Sequence, residues 1–254
     1  SSAILKKGFK GLKDLEELYK NFKRKLNKLN KKSYLVAVSG GPDSLALVAM
    51  TQAYKFEKKT RFFYALVDHK IRKNSSREAI QVKKLLNKHN VSLKIISNNS
   101  KILRNIQSRA REVRYEKLKT FCDKKNINIL MTAHNLEDQV ETFFIRLSRG
   151  SGLTGLSAMK SLNKIGKNIK IFRPFLDTKK RVLTKVTKNI FGTYFKDPSN
   201  KDEKYLRTKI RKLEKPLKES GIDYDQVIKS IKNLASSRET LNKFLLKVSK
   251  EIIK

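Results

Sequence analysis

Tyr34-Leu35-Val36-Ala37-Val38-Ser39-Gly40-Gly41-Pro42-Asp43-Ser44 carries the densest structural information in the chain. Its first five residues form a short apolar run, the pattern of a strand buried on both faces. The run stops at Ser-Gly-Gly, and Leu45, Leu47, Val48 and Met50 then fall in a segment that reads as a helix to about Tyr54. A strand, a tight turn and a helix make up the repeating unit of an open α/β sheet, whose ligands sit at the carboxyl ends of the strands. The turn suits an anion. Glycines let the backbone approach a phosphate closely, the helix start offers N–H groups and a positive dipole end, and the Ser39 and Ser44 hydroxyls add donors. No Lys follows the glycines, so this is not a Walker loop. The competing interpretation is a plain turn with Ser or Asp capping the helix; the complete hexapeptide after an apolar strand favours phosphate binding.

Outward from this stretch the alternation continues. Upstream, Leu12, Leu15, Leu18, Tyr19, Phe22, Leu26 and Leu29 recur at helical spacing, which predicts an amphipathic helix within residues 1–32 packed on the core. Downstream, strands are expected at Phe62–Val67, Val91–Ile96, Ile127–Thr132 and Ile169–Phe172. Helices are expected at Ser76–His89, Ile106–Lys125 and Leu136–Ser148. The fold class is therefore α/β, a doubly wound parallel sheet covered on both faces. From Thr178 to Lys254 the chain reads as mostly helical and strongly basic, with a boundary near Leu217. Residues 33–217 are the expected ligand-binding catalytic domain, and 218–254 a helical C-terminal segment.

Charge narrows the partners. Sixty Lys plus Arg against 23 Asp plus Glu leave a net +37, which implies a polyanion, RNA or DNA first, because neutralising phosphates releases counterions. A general Lys bias spread over the surface contributes as well. A single cysteine, Cys122, excludes an intramolecular disulfide and a multi-cysteine zinc site, and fits a reducing cytoplasm. No apolar run approaches the roughly 18–20 residues of a membrane span, and no secretory h-region is present.

A second constellation is Ala133-His134-Asn135-Leu136-Glu137-Asp138-Gln139-Val140-Glu141-Thr142. On a helix Asp138 and Glu141, three apart, share one face, and His134 stands at the preceding strand end. Such carboxylates hold Mg²⁺ against phosphates or hold an ammonium group. Glu137 is read as a helix-start acid complementing the dipole. Gly150-Ser151-Gly152-Leu153-Thr154-Gly155 matches a dinucleotide pattern by spelling alone, but it follows a helix rather than a strand.

Taken together these segments resemble the tRNA(Ile)-lysidine synthetases of the PP-loop, or N-type, ATP pyrophosphatase superfamily. The resemblance rests on the loop at 39–44, on Val67-Asp68-His69-Lys70-Ile71-Arg72 with Ser75 or Ser76 following, and on Ala110-Arg111-Glu112-Val113-Arg114-Tyr115. It continues through His134–Glu141 into Arg149-Gly150-Ser151-Gly152, then Arg173-Pro174, then Asp197-Pro198-Ser199-Asn200 leading to Arg207 and Arg211. It implies an adenine nucleotide α-hydrolase-like fold and a cytoplasmic ligase using ATP and Mg²⁺. ATP would adenylate the C2 oxygen of the wobble cytidine in a CAU-anticodon isoleucine tRNA, and the side-chain amine of free L-lysine would displace AMP.

The roles it implies are these. Ser39, Gly40, Gly41, Pro42, Asp43 and Ser44, with Asp68 and His69, bind ATP; Asp43 and Asp138 are candidates for Mg²⁺, and Asp138 and Glu141 for the lysine ammonium. Asp43, Asp138, Arg111, Arg114 and His134 are the catalytic candidates. Lys179, Lys180, Arg181, Arg207 and Arg211 are the tRNA-binding candidates. A lone Cys122 inside a helix argues against the principal alternative, a PP-loop tRNA thiolase, and the intact loop against a non-enzymatic RNA-binding protein. A glutaminase-coupled synthetase needs a second catalytic domain for which the chain has no room. Longer members of the family carry further C-terminal domains beyond the point reached by Lys254.

Overall fold

The computed structural model describes residues 13–71, 74–98, 106–195, 204 and 206–252. They divide into two compact units, one built from the residues up to 134 together with 161–197, the other from 135–160 together with 198 onward.

Among the described residues of the first unit, six strands form one sheet. They are β1 (Ser33–Ala37), β2 (Arg61–Asp68), β3 (Leu93–Ser97), β4 (Ile129–Met131), β5 (Leu162–Lys164) and β6 (Lys170–Phe172), in the order β3-β2-β1-β4-β6-β5. The chain steps outward from β1 to β3 and then places β4 on the other side of β1. Pairings are parallel except β5 with β6, which run antiparallel. That edge strand is an addition to the parallel sheet expected from the sequence. It is three residues of mixed polarity, too short and too polar to carry a period.

The helices in chain order are α1 (Lys13–Leu29), α2 (Pro42–Glu57), α3 (Ser75–Lys88), α4 (Ile106–Lys124), α5 (Leu136–Leu147), α6 (Leu153–Leu156), α7 (Lys180–Phe191), α8 (Leu206–Lys212), α9 (Glu214–Glu219) and α10 (Tyr224–Ile252). Successive strand side chains point to opposite faces, and the buried residues sort accordingly. Tyr34, Val36 and Val38 join Tyr64, Leu66, Ile129 and Met131 in a cluster with residues of α1, α2, α3 and α7. Leu35, Ala65 and Leu130 join Leu118 and Cys122 of α4 on the other face. A strand that is apolar on both sides needs cover on both, and this division supplies it. α2 is buried over every residue from Ser44 to Gln52, as expected of a helix apolar all round.

α1 belongs to the first cluster through Leu15, Leu18, Phe22 and Leu26, and the Phe22 ring lies 5.9 Å from that of Phe175. In the second unit, Leu136 and Val140 of α5 pack with Ala158 and with Val227, Ile228 and Ile231 of α10. No described helix is long and apolar enough to cross a membrane.

Phe22→Ala tests whether α1 is integral to the core. Its loss should lower the unfolding free energy in urea titrations by about 3–5 kcal/mol. A change below about 1 kcal/mol would show that α1 packs independently of the sheet.

Candidate functional site

The strand order reverses between β1 and β4, whose residues Leu35 and Val36 pair with Leu130 and Met131. A reversal of this kind leaves a crevice at the carboxyl ends of the strands. Three segments emerge there: Ser39–Ser44 after β1, Asp68–His69 from the end of β2, and Thr132–His134 after β4.

The first of these has a tightly defined shape. Gly40 has φ +81°, and a Cβ there would lie 2.5 Å from Val82 Cγ2 and 3.3 Å from Phe195 Cδ2. Its carbonyl accepts a hydrogen bond from the Phe195 N–H at 3.0 Å. Ser44 Oγ donates to the Gly41 carbonyl at 3.0 Å, accepts from the Ser39 N–H at 3.1 Å, and lies 3.2 Å from Ser39 Oγ. Pro42 opens α2, and its carbonyl accepts from Thr187 Oγ1 of α7 at 2.6 Å. Thr187 and Phe195 were not legible in the sequence, because a residue of a helix 145 positions away leaves no spacing signal.

Gly41 differs from Gly40. A Cβ at Gly41 would meet only Ser39 Oγ, at 3.7 Å, so packing does not require glycine there, whereas close backbone approach by a ligand does. No side chain caps the start of α2, and the plain capped turn weighed in the sequence is therefore not what forms. Uncapped helix start and open glycine together make a backbone donor set that fits phosphate, while the Ser44 hydroxyl, donating to Gly41 and accepting from Ser39, braces the turn.

Asp43 lies in the first turn of α2, with Lys180 Nζ 3.9 Å from its Oδ2. Lys180, expected at the RNA, thus stands beside the loop. Lys179 is half-buried and Arg181 exposed.

Asp68 is buried and organises the turn after β2. Its carboxylate accepts from the Lys70 N–H at 3.0 Å, Ser75 Oγ at 2.8 Å and Ser76 Oγ at 2.5 Å. Burial alone raises its pKa, but these hydrogen bonds, Ser76 foremost, hold it below the usual carboxylate range. His69 Nε2 accepts from Arg114 Nε at 3.4 Å, which assigns the ring proton to Nδ1, a buried atom with no hydrogen-bond partner among the described residues. Burial, followed by the Arg114 charge, lowers the His69 pKa from 6.5 to about 4. Arg111 instead lies over the Tyr115 ring, 5.2 Å from its centroid.

His134 closes the first unit, with Nδ1 2.8 Å from Thr132 Oγ1. In the second unit Asn135 and Asp138 form a reciprocal capping box. Asp138 N donates to Asn135 Oδ1 at 2.9 Å, and Asn135 N donates to Asp138 Oδ2 at 3.1 Å.

Glu141 is 3% exposed. Arg211 forks onto it with Nε 2.5 Å from Oε1 and Nη2 3.2 Å from Oε2, while Arg207 Nε lies 3.1 Å from Oε2. The Arg207 contact is close enough for an ion pair but is off hydrogen-bond alignment. Burial pushes the Glu141 carboxyl upward, and the Arg211 fork pulls against that shift. The structure thus joins a residue expected at lysine with two arginines expected at RNA, and both arginines serve to neutralise a buried charge. Gly150 and Gly152 lie between α5 and α6 and Gly155 falls within α6, with no strand immediately ahead of them. Arg72 and Asp197-Pro198-Ser199-Asn200 lie outside the described residues.

Among the described residues no group of three or more His, Cys, Asp or Glu gathers as a metal site. Mg²⁺ on a nucleotide does not need one, since it uses one or two carboxylates together with phosphate oxygens and water.

Three likenesses bear on this arrangement. A family described as the PP-loop domain matches residues 14–216. The chain is 35% identical over 221 residues to the tRNA(Ile)-lysidine synthase of Orientia tsutsugamushi, covering 86% of this chain and 49% of that protein. It is 35% identical over 184 residues to the enzyme of the same name from Zymomonas mobilis, covering 70% and 54% respectively. The chain therefore spans about half the length of the curated relatives it matches. Among solved structures it is similar to the U34-tRNA thiolase NcsA of Methanococcus maripaludis, with a TM-score of 0.73 at 17% identity, over 88% of this chain and 79% of that one. That likeness is one of fold.

Two outcomes follow from the geometry. Gly40→Ala should cost at least about 1–3 kcal/mol of stability through backbone strain alone, whereas Gly41→Ala should stay within about 0.5–1 kcal/mol in the same thermal melts; equal losses would refute the distinction. Because folding lowers the His69 pKa, the unfolded chain binds that proton more readily between pH 6.5 and about 4. The associated stability is complete above this window and is lost as pH falls through it. NMR of the His69 ring should give a midpoint near 4, and Arg114→Gln should move it upward but still below 6.5. A wild-type midpoint of 6.5 would contradict the burial argument.

Proposed function

The chain belongs to the PP-loop family, and from that premise we propose that it ligates the side-chain amine of L-lysine to C2 of the wobble cytidine in a CAU-anticodon isoleucine tRNA. The reaction consumes ATP and takes place in the cytoplasm. The observation that carries the reading is the Ser39–Ser44 turn, whose open Gly41 backbone and uncapped α2 start stand at the reversal point of the sheet. The shared name of the two relatives supplies the substrate.

In this reading the C2 oxygen of cytidine attacks the α-phosphorus of ATP and pyrophosphate leaves. The lysine amine then attacks C2, the C2–O bond breaks, AMP departs with that oxygen, and the amine proton passes to solvent. The Ser39–Ser44 backbone and the α2 start orient and stabilise the phosphates, with Ser44 bracing the turn from within, which is most of what phosphoryl chemistry asks of a protein. Asp43 of the loop is the carboxylate assigned to Mg²⁺, with Asp138 as the separate second candidate; the ion would neutralise phosphate charge when bound. His69 Nδ1–H is a buried donor assigned to the nucleotide, and His134, tied through Nδ1 to Thr132, is assigned to the nucleotide or the amine. Asp138 provides negative charge for the lysine ammonium, while Glu141, expected beside it, is buried and neutralised by Arg207 and Arg211. Lys179 and Arg181 are assigned to the tRNA backbone, with Lys180 shared between RNA and the Asp43 side of the loop.

The thiolase alternative meets an obstacle in Cys122. It is fully buried on the side of α4 that packs on the sheet, and burial pushes its thiol up to about 12, while sulfur chemistry needs an accessible thiolate.

The test is radiolabelled L-lysine incorporation into unmodified CAU-anticodon isoleucine tRNA with ATP and Mg²⁺. Asp138→Asn keeps an acceptor for the capping box and removes the charge, so incorporation should fall about 10–100-fold, the equivalent of losing one charge-assisted hydrogen bond, at unchanged melting temperature. Cys122→Ala should leave incorporation intact. Release of pyrophosphate with no lysine transferred would show that the nucleophile is misassigned.

A further inference from the structure

We infer that the outward face of α1 is a docking surface for the phosphodiester backbone of RNA, separate from the residues that carry out ligation. This rests on the reading of the protein as an RNA-modifying enzyme and adds to it a contact surface outside the Ser39–Ser44 turn.

Leu15, Leu18, Phe22 and Leu26 turn the apolar side of α1 into the core. On the outward side Lys20, Arg24 and Lys28 follow one another at intervals of four, all exposed. Four residues advance a helix by about 6 Å, so the three cations form a single row of about 12 Å. With Lys23 and Asn27 they line an open depression in the surface.

From Lys20 onward the cations of α1 fall into two sets. Lys23 pairs with Glu57, and Lys25 holds Asp177 at 2.8 Å and the Pro174 carbonyl at 2.7 Å. Lys20, Arg24 and Lys28 form no ion pair among the described residues, although Arg24 Nη2 donates to Asn21 Oδ1 at 3.1 Å. Like charges at this interval oppose helix formation, and a row of phosphates would neutralise them and release counterions. Arg24 adds a planar fork matched to phosphate oxygens.

The same helix argues against other occupants. A membrane-surface helix inserts its apolar face, and that of α1 is already used by the core. A protein partner would ask for an apolar centre poor in charge, which a row of cations does not provide. RNA backbone is the partner whose chemistry fits.

The experiment compares two charge reversals in the full chain. Lys20→Glu/Arg24→Glu/Lys28→Glu changes the row, and Lys83→Glu/Lys84→Glu/Lys88→Glu changes the net charge equally on exposed positions of α3. Binding of unmodified CAU-anticodon isoleucine tRNA is measured by fluorescence anisotropy between about 50 and 200 mM salt. The α1 variant should bind at least about tenfold more weakly, with a salt slope shallower by about 2–3, one unit per lost phosphate contact. The α3 variant should stay within about threefold of the parent. The neutral set Lys20→Gln/Arg24→Gln/Lys28→Gln, which relieves repulsion within the helix, should give an intermediate loss at parental melting temperature.

Equal losses in the α1 and α3 variants, or none in the α1 variants, would overturn the inference. So would loss of binding to anionic lipid vesicles with tRNA affinity unchanged. Lysine incorporation is scored separately: its absence from the parent protein would count against the proposed reaction, while the binding comparison would still decide the role of α1.

Discussion

The backbone at Gly40 runs through a gap with no room for a side chain, between Val82 of α3 and Phe195 beyond α7. The start of α2 is fixed from there. With the Gly40 carbonyl held by Phe195 and the Pro42 carbonyl by Thr187, the turn is anchored from its protein side. What is left open is backbone at Gly41 and the positive end of a buried helix, with Ser44 binding the turn from within. Residues that never meet a ligand therefore set its shape, and their distribution over α3 and α7 explains why this turn needs the whole first unit in order to form.

Much of that unit was legible because burial on two faces writes a strong signal. Each of β1 to β4 is short, apolar and followed by a helix, and the alternation of Tyr34, Val36 and Val38 with Leu35 survives directly in the two buried clusters. β5 was not legible, since Leu162-Asn163-Lys164 has neither the length nor the apolar content to show a period. Chain order also hid the division into units, because the second unit takes residues from two distant stretches.

The candidate site was legible as a set of residues but less so as a set of partnerships. The residue types at 39–44, 68–69 and 134–141 pointed to phosphate and ammonium chemistry. Sequence does not reveal which oxygen of Asp138 serves the helix cap, nor that Asp68 is bound by three donors of its own turn. Glu141 and Arg211 lie 70 positions apart, and an arginine that neutralises a buried carboxylate reads, in a strongly basic chain, like any arginine awaiting RNA. Composition points towards a polyanion; only coordinates separate cations already committed to acids from cations that are not.

The short antiparallel strand has a consequence of a different kind. Open sheets end in rows of unsatisfied backbone groups that invite a foreign strand to add on. Here the β6 side is closed by a ladder of three residues, Leu162 to Lys164, in which Asn163 and Lys164 are exposed. A ladder so short and so hydrophilic gives an incoming strand little length to align with and a lysine to displace. β5 thus blunts the β6 side of the sheet as a template for strand addition.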